Sequence, residues 1–298
     1  MKFANVLMSA TDTHKERLGG QAVRSDRNAW AETLEPVIRA SSPFPISYDV
    51  CSTQGPDFSE YTYTEFAGGV YVCSQSIDIN TRLMAEAAQW EGDTSETADR
   101  WTEIIEDKYK LEAPVGEYPE KVLFMPANNC LELISLEALS RALHEQKDIM
   151  VKPHPLIDSI AEKSLGMKAG WNRMIPRSAS GIEYLKNSKE VYAASCSELS
   201  LIGALLGKKV HNIGNFFSEA EGAYFSMTRP MFLSDDQRDT VLRMVSCEFS
   251  GIIFPWHTET EVKHRLDRFF EKTLELREIH SPLYIRSQKK PPQQGPNK

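Results

Sequence analysis

Residues 190–214, EVYAASCSELSLIGALLGKKVHNIG, decide the fold. EVYAA (190–194) is a short apolar run of the kind that forms a strand buried on both faces. Ser195, Cys196 and Ser197 interrupt it. SELSLIGALL (197–206) then reads as a helix, opened by a serine that can cap it and closed by Gly207. KVHNI (209–213) is a second strand. Strand, helix, strand in such close succession is the βαβ unit of a parallel sheet.

The same alternation extends upstream. KVLFMP (121–126) is a strand, followed by Asn128 and Asn129 as turn or N-cap residues. Leu131, Ile134, Ala138, Leu139 and Ala142 space themselves along one helix face. DIMVK (148–152) is the next strand, stopped by Pro153. Residues 158–165 read as a short helix ended by Gly166, residues 173–176 as a strand, and Ser180 caps a helix through Tyr184 and Leu185.

The first half is less regular. Residues 2–8, 45–51 and 69–74 read as strands. Residues 26–40, 79–90 and 95–109 read as helices, the first interrupted by Pro36. PVGEYP (114–119) is the best linker on the chain and marks a domain boundary. After Phe216 the pattern turns loop-like and aromatic until a charged amphipathic helix at 259–278, expected to cross back to the first domain. KKPPQQGPNK (289–298) reads as a disordered tail. The domains are therefore 1–118, 119–258, a returning helical segment 259–288 and the tail. The fold class is α/β, with two Rossmann-like domains facing a cleft.

Composition narrows the function. The chain has 298 residues, 41% of them hydrophobic and 26% charged, as expected for two packed α/β domains. No apolar run approaches the roughly 20 residues that span a bilayer, and MKFANVLMSATD reads as a first strand rather than a signal peptide. The five cysteines are scattered and odd in number, which suggests free thiols and a cytoplasmic location. A net charge of −8 disfavours a protein that coats nucleic acid or anionic membrane. It leaves room for a local basic cluster at Lys15, Arg17, Arg24 and Arg27. No GxGxxG, Walker lysine loop, HExxH or GxSxG is present, and no metal-ligand cluster, so no metal or cofactor is expected.

In open parallel sheets ligands bind beyond the carboxyl ends of the strands. Those ends deliver Asn128 and Asn129, then Lys152 and His154, then Ser195, Ser197 and Glu198. His154 stands between two prolines, which restrict the backbone on either side and hold the imidazole where it can donate to a phosphate oxygen. Ser195 and Ser197 precede a helix whose N–H groups and dipole favour an anion. Glu198 can accept from a ribose hydroxyl. Lys152, two residues before the histidine, falls on the same side of the strand.

VKPHP (151–155) followed by VYAASCSELSLIGALLGKKVHNIG (191–214) resembles the C-terminal domain of capsule-polysaccharide-type glycosyltransferases and of GT-B-type bacterial sialyltransferases. In those families the histidine and serines hold the phosphate of a CMP-sugar, so the resemblance implies that His154 with Ser195 or Ser197 holds the phosphate of a nucleotide-sugar donor, without metal. It makes residues 1–118 the acceptor side and 119–258 the donor domain. The acidic motif that carries the general base in the sialyltransferases is missing, leaving Asp12 as the base by position, with His14 as another. Arg17, Gln21 and Arg24 would meet a polysaccharide or other hydroxyl acceptor. Two alternatives stay open: a phage-type DNA glycosyltransferase acting on hydroxymethylated bases, and a non-catalytic nucleotide-binding module.

Overall fold

The computed structural model describes residues 34–42, 46–48, 61–74, 76–109, 117–127, 131, 133–155, 157–215 and 224–280. Two four-stranded sheets organise it. The parallel sheet contains β4 (Lys121–Phe124), β5 (Met150–Lys152), β6 (Glu190–Ala193) and β7 (Lys209–Asn212), in the order β5-β4-β6-β7. Val122 pairs with Met150 on one side and Val191 on the other, and Val191 pairs with Val210. These strands are short because each is buried on both faces and needs only one or two side chains per face.

The two faces have different covers. Leu123, Val151, Tyr192 and Ala194 pack beneath α4 (Leu136–Glu145) and α5 (Ser159–Ala169). Val122, Phe124, Val191, Ala193 and Val210 face the other way. They meet α6 (Gly181–Asn187) and α7 (Glu198–Leu205) through Ile182, Leu185, Leu201 and Leu205. The chain leaves β4 toward the first face and β6 toward the second. Adjacent parallel strands whose connections diverge in this way form a topological switch point, and it lies here between β4 and β6.

The mixed sheet has the order β1-β2-β3-β8, from β1 (Ile46–Tyr48), β2 (Tyr61–Phe66), β3 (Gly69–Ser74) and β8 (Ile252–Ile253). β1 runs parallel to β2, and β2-β3 and β3-β8 are antiparallel. A second Rossmann-like domain is the expectation for the first half, and the described strands there form this mixed sheet instead. Strand 2–8 lies outside the described residues. β2 carries no aliphatic run and is not anticipated. Its Tyr61 and Tyr63 are fully buried, and Thr62 Oγ1 is 3.2 Å from Cys73 Sγ on β3.

The helices α1 (Glu35–Ser41), α2 (Ile77–Ala87), α3 (Ser95–Tyr109), α8 (Phe225–Phe232), α9 (Gln237–Ser246) and α10 (Glu259–His280) complete the described elements. Pro36 sits in the first turn of α1, where its missing N–H costs nothing, so it starts that helix rather than interrupting it. α5 runs past Gly166 to a cap at Gly170, because Trp171 lies across the bare Cα of Gly166. The loop-like stretch expected after Phe216 holds two helices: α8 with Pro230 inside it, and α9 capped by Asp236. α10 packs on α1, α2 and β8. Its Thr273 Oγ1 is 3.1 Å from Tyr61 Oη, and Phe269 and Phe270 meet the Tyr61 ring edge-on at 5.8 and 5.1 Å. A single buried apolar cluster joins both sheets.

β8 depends on a fixed bend. Arg265, from α10, donates to the carbonyls of Val245, Ser246, Cys247 and Ile252, which satisfies the end of α9 and the start of β8. His257 closes the other end: its Nδ1 accepts the Phe254 amide, and burial pushes its pKa down to about 3. Between them Gly251 has φ +78°, and a Cβ there would lie 2.2 Å from the Val72 carbonyl oxygen. Gly251→Ala should therefore cost about 3 kcal/mol, through backbone strain and overpacking together. Chemical denaturation would show it as a lower midpoint with an unchanged slope.

Candidate functional site

The switch point brings the exits of β4 and β6 side by side at the carboxyl edge of the parallel sheet. β6 ends in Ala193 and Ala194, both fully buried, and the chain turns sharply through Ser195 and Cys196. Ser197 N then donates to the Ala194 carbonyl, and Ser200 Oγ donates to the same oxygen. Ser197 caps α7, its hydroxyl accepting from Leu199 N at 3.3 Å. The first turn of α7 thus starts at the carboxyl edge of the sheet, and Ser197 is half-buried there.

Ser195 has a different environment. It is fully buried, and its hydroxyl has no hydrogen-bond partner among the described residues. Gly214 covers it: a Cβ at Gly214 would stand 2.7 Å from Ser195 Oγ and 2.8 Å from Ser195 N. Thr228 Oγ1 of α8 donates to the Ser195 carbonyl at 2.6 Å. Ser195 is the buried pivot of the turn, and Ser197 is the serine that borders the crevice.

The chain after β4 forms a lip over this turn. Ser135 N donates to the Ile213 carbonyl, and Asn215 N donates to the Leu133 carbonyl, with Ile134 bridged antiparallel to Gly214. Residues 133–135 occupy the line that β6 would have followed had it continued. Asn128 and Asn129 lie outside the described residues.

β5 supplies His154. The Met125 amide donates to the Lys152 carbonyl, the Ile157 amide donates to the His154 carbonyl, and Asp158 caps α5 by accepting from Ile160 N and Ala161 N at 2.8 Å. The turn is rigid, with Pro153 buried and the imidazole half-buried. Lys152 points elsewhere. Its side chain is only 2% exposed, and its amine donates to the carbonyls of Pro153 at 2.7 Å and Arg177 at 2.9 Å. That amine ties the His154 turn to the 177 loop. Burial lowers its pKa to about 8, with the Glu162 carboxylate pulling the other way.

Because β5 and β6 flank β4, His154 and the Ser195–Ser197 turn leave the sheet two strands apart, about 10 Å. One phosphoryl group is smaller than that gap, whereas a diphosphate ester is an extended group that can bridge it.

Glu198 connects the two sheets. Its Oε1 accepts the Ala67 amide at 2.7 Å. Ala67 and Gly68 form the two-residue turn between β2 and β3, with φ of +47° and +86°. A hairpin turn with both residues left-handed matches the strand twist but strains a non-glycine residue, and the carboxylate compensates by binding its amide. The Ala-Gly-Gly run after a Tyr/Thr alternation is the sequence signal for this hairpin. The close approach of Gly214 to Ser195, by contrast, has no local signature. Asp12, His14, Arg17, Gln21 and Arg24 lie outside the described residues. Among the described residues no cluster of three or more His, Cys, Asp or Glu could hold a metal ion, and no helix is long and apolar enough to cross a membrane.

Two predictions follow from these placements. Ser195→Ala removes an orphan hydroxyl and should leave the fold as stable or up to about 1 kcal/mol more so. Gly214→Ala forces the turn apart and should cost roughly 1–3 kcal/mol; urea midpoints of the two variants separate them. The second concerns pH. The unfolded chain keeps the Lys152 proton up to about pH 10.5, while the folded chain releases it near pH 8. The unfolded state therefore holds more protons in that window, and this residue's cost to stability fades as pH rises through it. Wild type should gain melting temperature relative to Lys152→Met between pH 8 and 10.5.

Comparison with protein-family models, curated proteins and solved structures finds no match to this chain.

Proposed function

We propose that the carboxyl edge of the parallel sheet binds the phosphates of a nucleotide-activated sugar, and that the chain is a metal-independent glycosyltransferase. One observation carries the reading: the switch point between β4 and β6 coincides with the start of a serine-capped helix, two strands away from a proline-held histidine. Loss of a nucleotide leaves negative charge on the departing phosphate. Fixed donors aimed at that charge stabilise the transition state more than the ground state. In this reading His154 and the first turn of α7, with Ser197, are those donors. A spacing of about 10 Å, two interstrand steps, favours a nucleoside diphosphate over a monophosphate. Lys152 and Ser195 act indirectly, by holding the His154 turn and the β6 exit in place.

The acceptor would enter from the side of the mixed sheet, whose hairpin Glu198 joins to α7. Residues 1–33 would complete a GT-B-like cleft, with Asp12 as base and Arg17, Gln21 and Arg24 toward the acceptor hydroxyl.

A thermal-shift panel of CMP, UDP, GDP and TDP tests the reading. The cognate nucleotide at 100 times its dissociation constant should stabilise the fold by about 2.7 kcal/mol. His154→Ala should abolish the shift and leave the melting point of the free protein nearly unchanged. No shift with any nucleotide overturns the site. A shift without release of nucleotide from any nucleotide sugar, whatever the acceptor, makes the chain a binding module and overturns the enzyme.

A further inference from the structure

A groove of about 690 Å³ lies between α4 and the end of α5, far from the crevice. Residues 146–149 lead from α4 into β5, so the groove sits at the amino edge of the parallel sheet. Leu139 and Leu143 give it an apolar side, and the titratable groups that line it are His144, Lys147, Lys168 and Arg173. No carboxylate lines it, in a chain whose net charge is −8.

Arg173 has a structural task. Its Nε donates to the Ala169 carbonyl and its terminal nitrogens to the carbonyls of Leu143 and Gln146, which satisfies the ends of both helices. The amines of Lys147 and Lys168 are therefore not needed there, and neither has an ion-pair partner among the described residues.

The same elements carry an apolar stripe. Ile160 is 77% exposed and Met167 73%, and seven residues apart on α5 they share one side of it; Trp171, just past the end of α5, is 58% exposed. Leu136, at the start of α4, is 68% exposed. The other large exposed hydrophobics among the described residues, Ile77, Leu233 and Leu274, belong to three separate helices or helix ends.

We propose that this face docks on an anionic lipid surface. Lys147 and Lys168 receive phosphate headgroups in the groove, while Ile160, Met167 and Trp171 enter the interfacial layer. A soluble anion would use the lysines and leave the apolar stripe idle. A lipid surface uses both, and docking at the amino edge leaves the carboxyl-edge crevice uncovered.

Flotation of the full chain with vesicles tests this. It should float with phosphatidylcholine vesicles containing phosphatidylglycerol, not with phosphatidylcholine alone, and added salt should release it. Lys147→Glu and Lys168→Glu should each weaken binding at least fivefold, from the loss of one lysine's attraction to the surface. Ile160→Ser combined with Met167→Ser should also weaken it, with the melting point and the nucleotide-induced shift unchanged in every variant. The proposal falls if the chain does not float with phosphatidylglycerol, if neither class of variant alters flotation, or if inorganic pyrophosphate stabilises the protein through Lys147 and Lys168 while vesicles do not bind. Because the nucleotide shift is read separately, failure here leaves the transferase reading intact, and the reverse also holds.

Discussion

The turn that leaves β6 has no spare room, and the arrangement around it follows from that. Ala193 and Ala194 are buried on opposite faces, and Ser195 lies under the bare Cα of Gly214. Its carbonyl is held by Thr228 from α8, and that of Ala194 by Ser197 and Ser200 from α7. A larger side chain at either alanine or at Gly214 would push the turn outward. Held in, the turn sends α7 to the face opposite α4, and that divergence makes the switch point. It also aims Glu198 at the hairpin of the mixed sheet, so one tight turn sets both the site and the joint between the two halves.

The parallel sheet was legible because strands buried on both faces must be apolar throughout, and short apolar runs between capped helices have few other readings. The mixed sheet was harder. β2 is YTYTEF, and its burial depends on tyrosines and threonines whose polar atoms find partners inside: Tyr61 with Thr273, Thr62 with Cys73, and Tyr63 accepting from Arg39. Thr273 and Arg39 come from distant parts of the chain, and no local pattern reports them. α8 was hidden by Pro230, which a helix tolerates in its later turns when packing on α2 and α9 compensates. Gly166 misled in the opposite direction. It read as a stop, yet its missing side chain makes room for the Trp171 ring.

For the candidate site, the sequence placed polar residues at the strand ends but did not separate depth from chemistry. A serine, a lysine or a glutamate at a strand end can face a ligand or satisfy a backbone group, and the residue type is the same in both cases. Ser197 and His154 are half-buried at the edge. Lys152 spends its amine on two carbonyls, Ser195 lies beneath a glycine, and Glu198 binds the Ala67 amide. These three differ from the first two in what lies above them, which is tertiary information.

The two ends of the parallel sheet carry opposite electrostatic problems, and the chain solves each with the residues at hand. At the carboxyl edge the start of α7 presents N–H groups and partial positive charge, with a hydroxyl cap from Ser197. At the amino edge the ends of α4 and α5 present carbonyl oxygens and partial negative charge, and a single guanidinium from Arg173 gathers them. Once those carbonyls are satisfied, Lys147 and Lys168 are a local surplus of positive charge on a negatively charged protein.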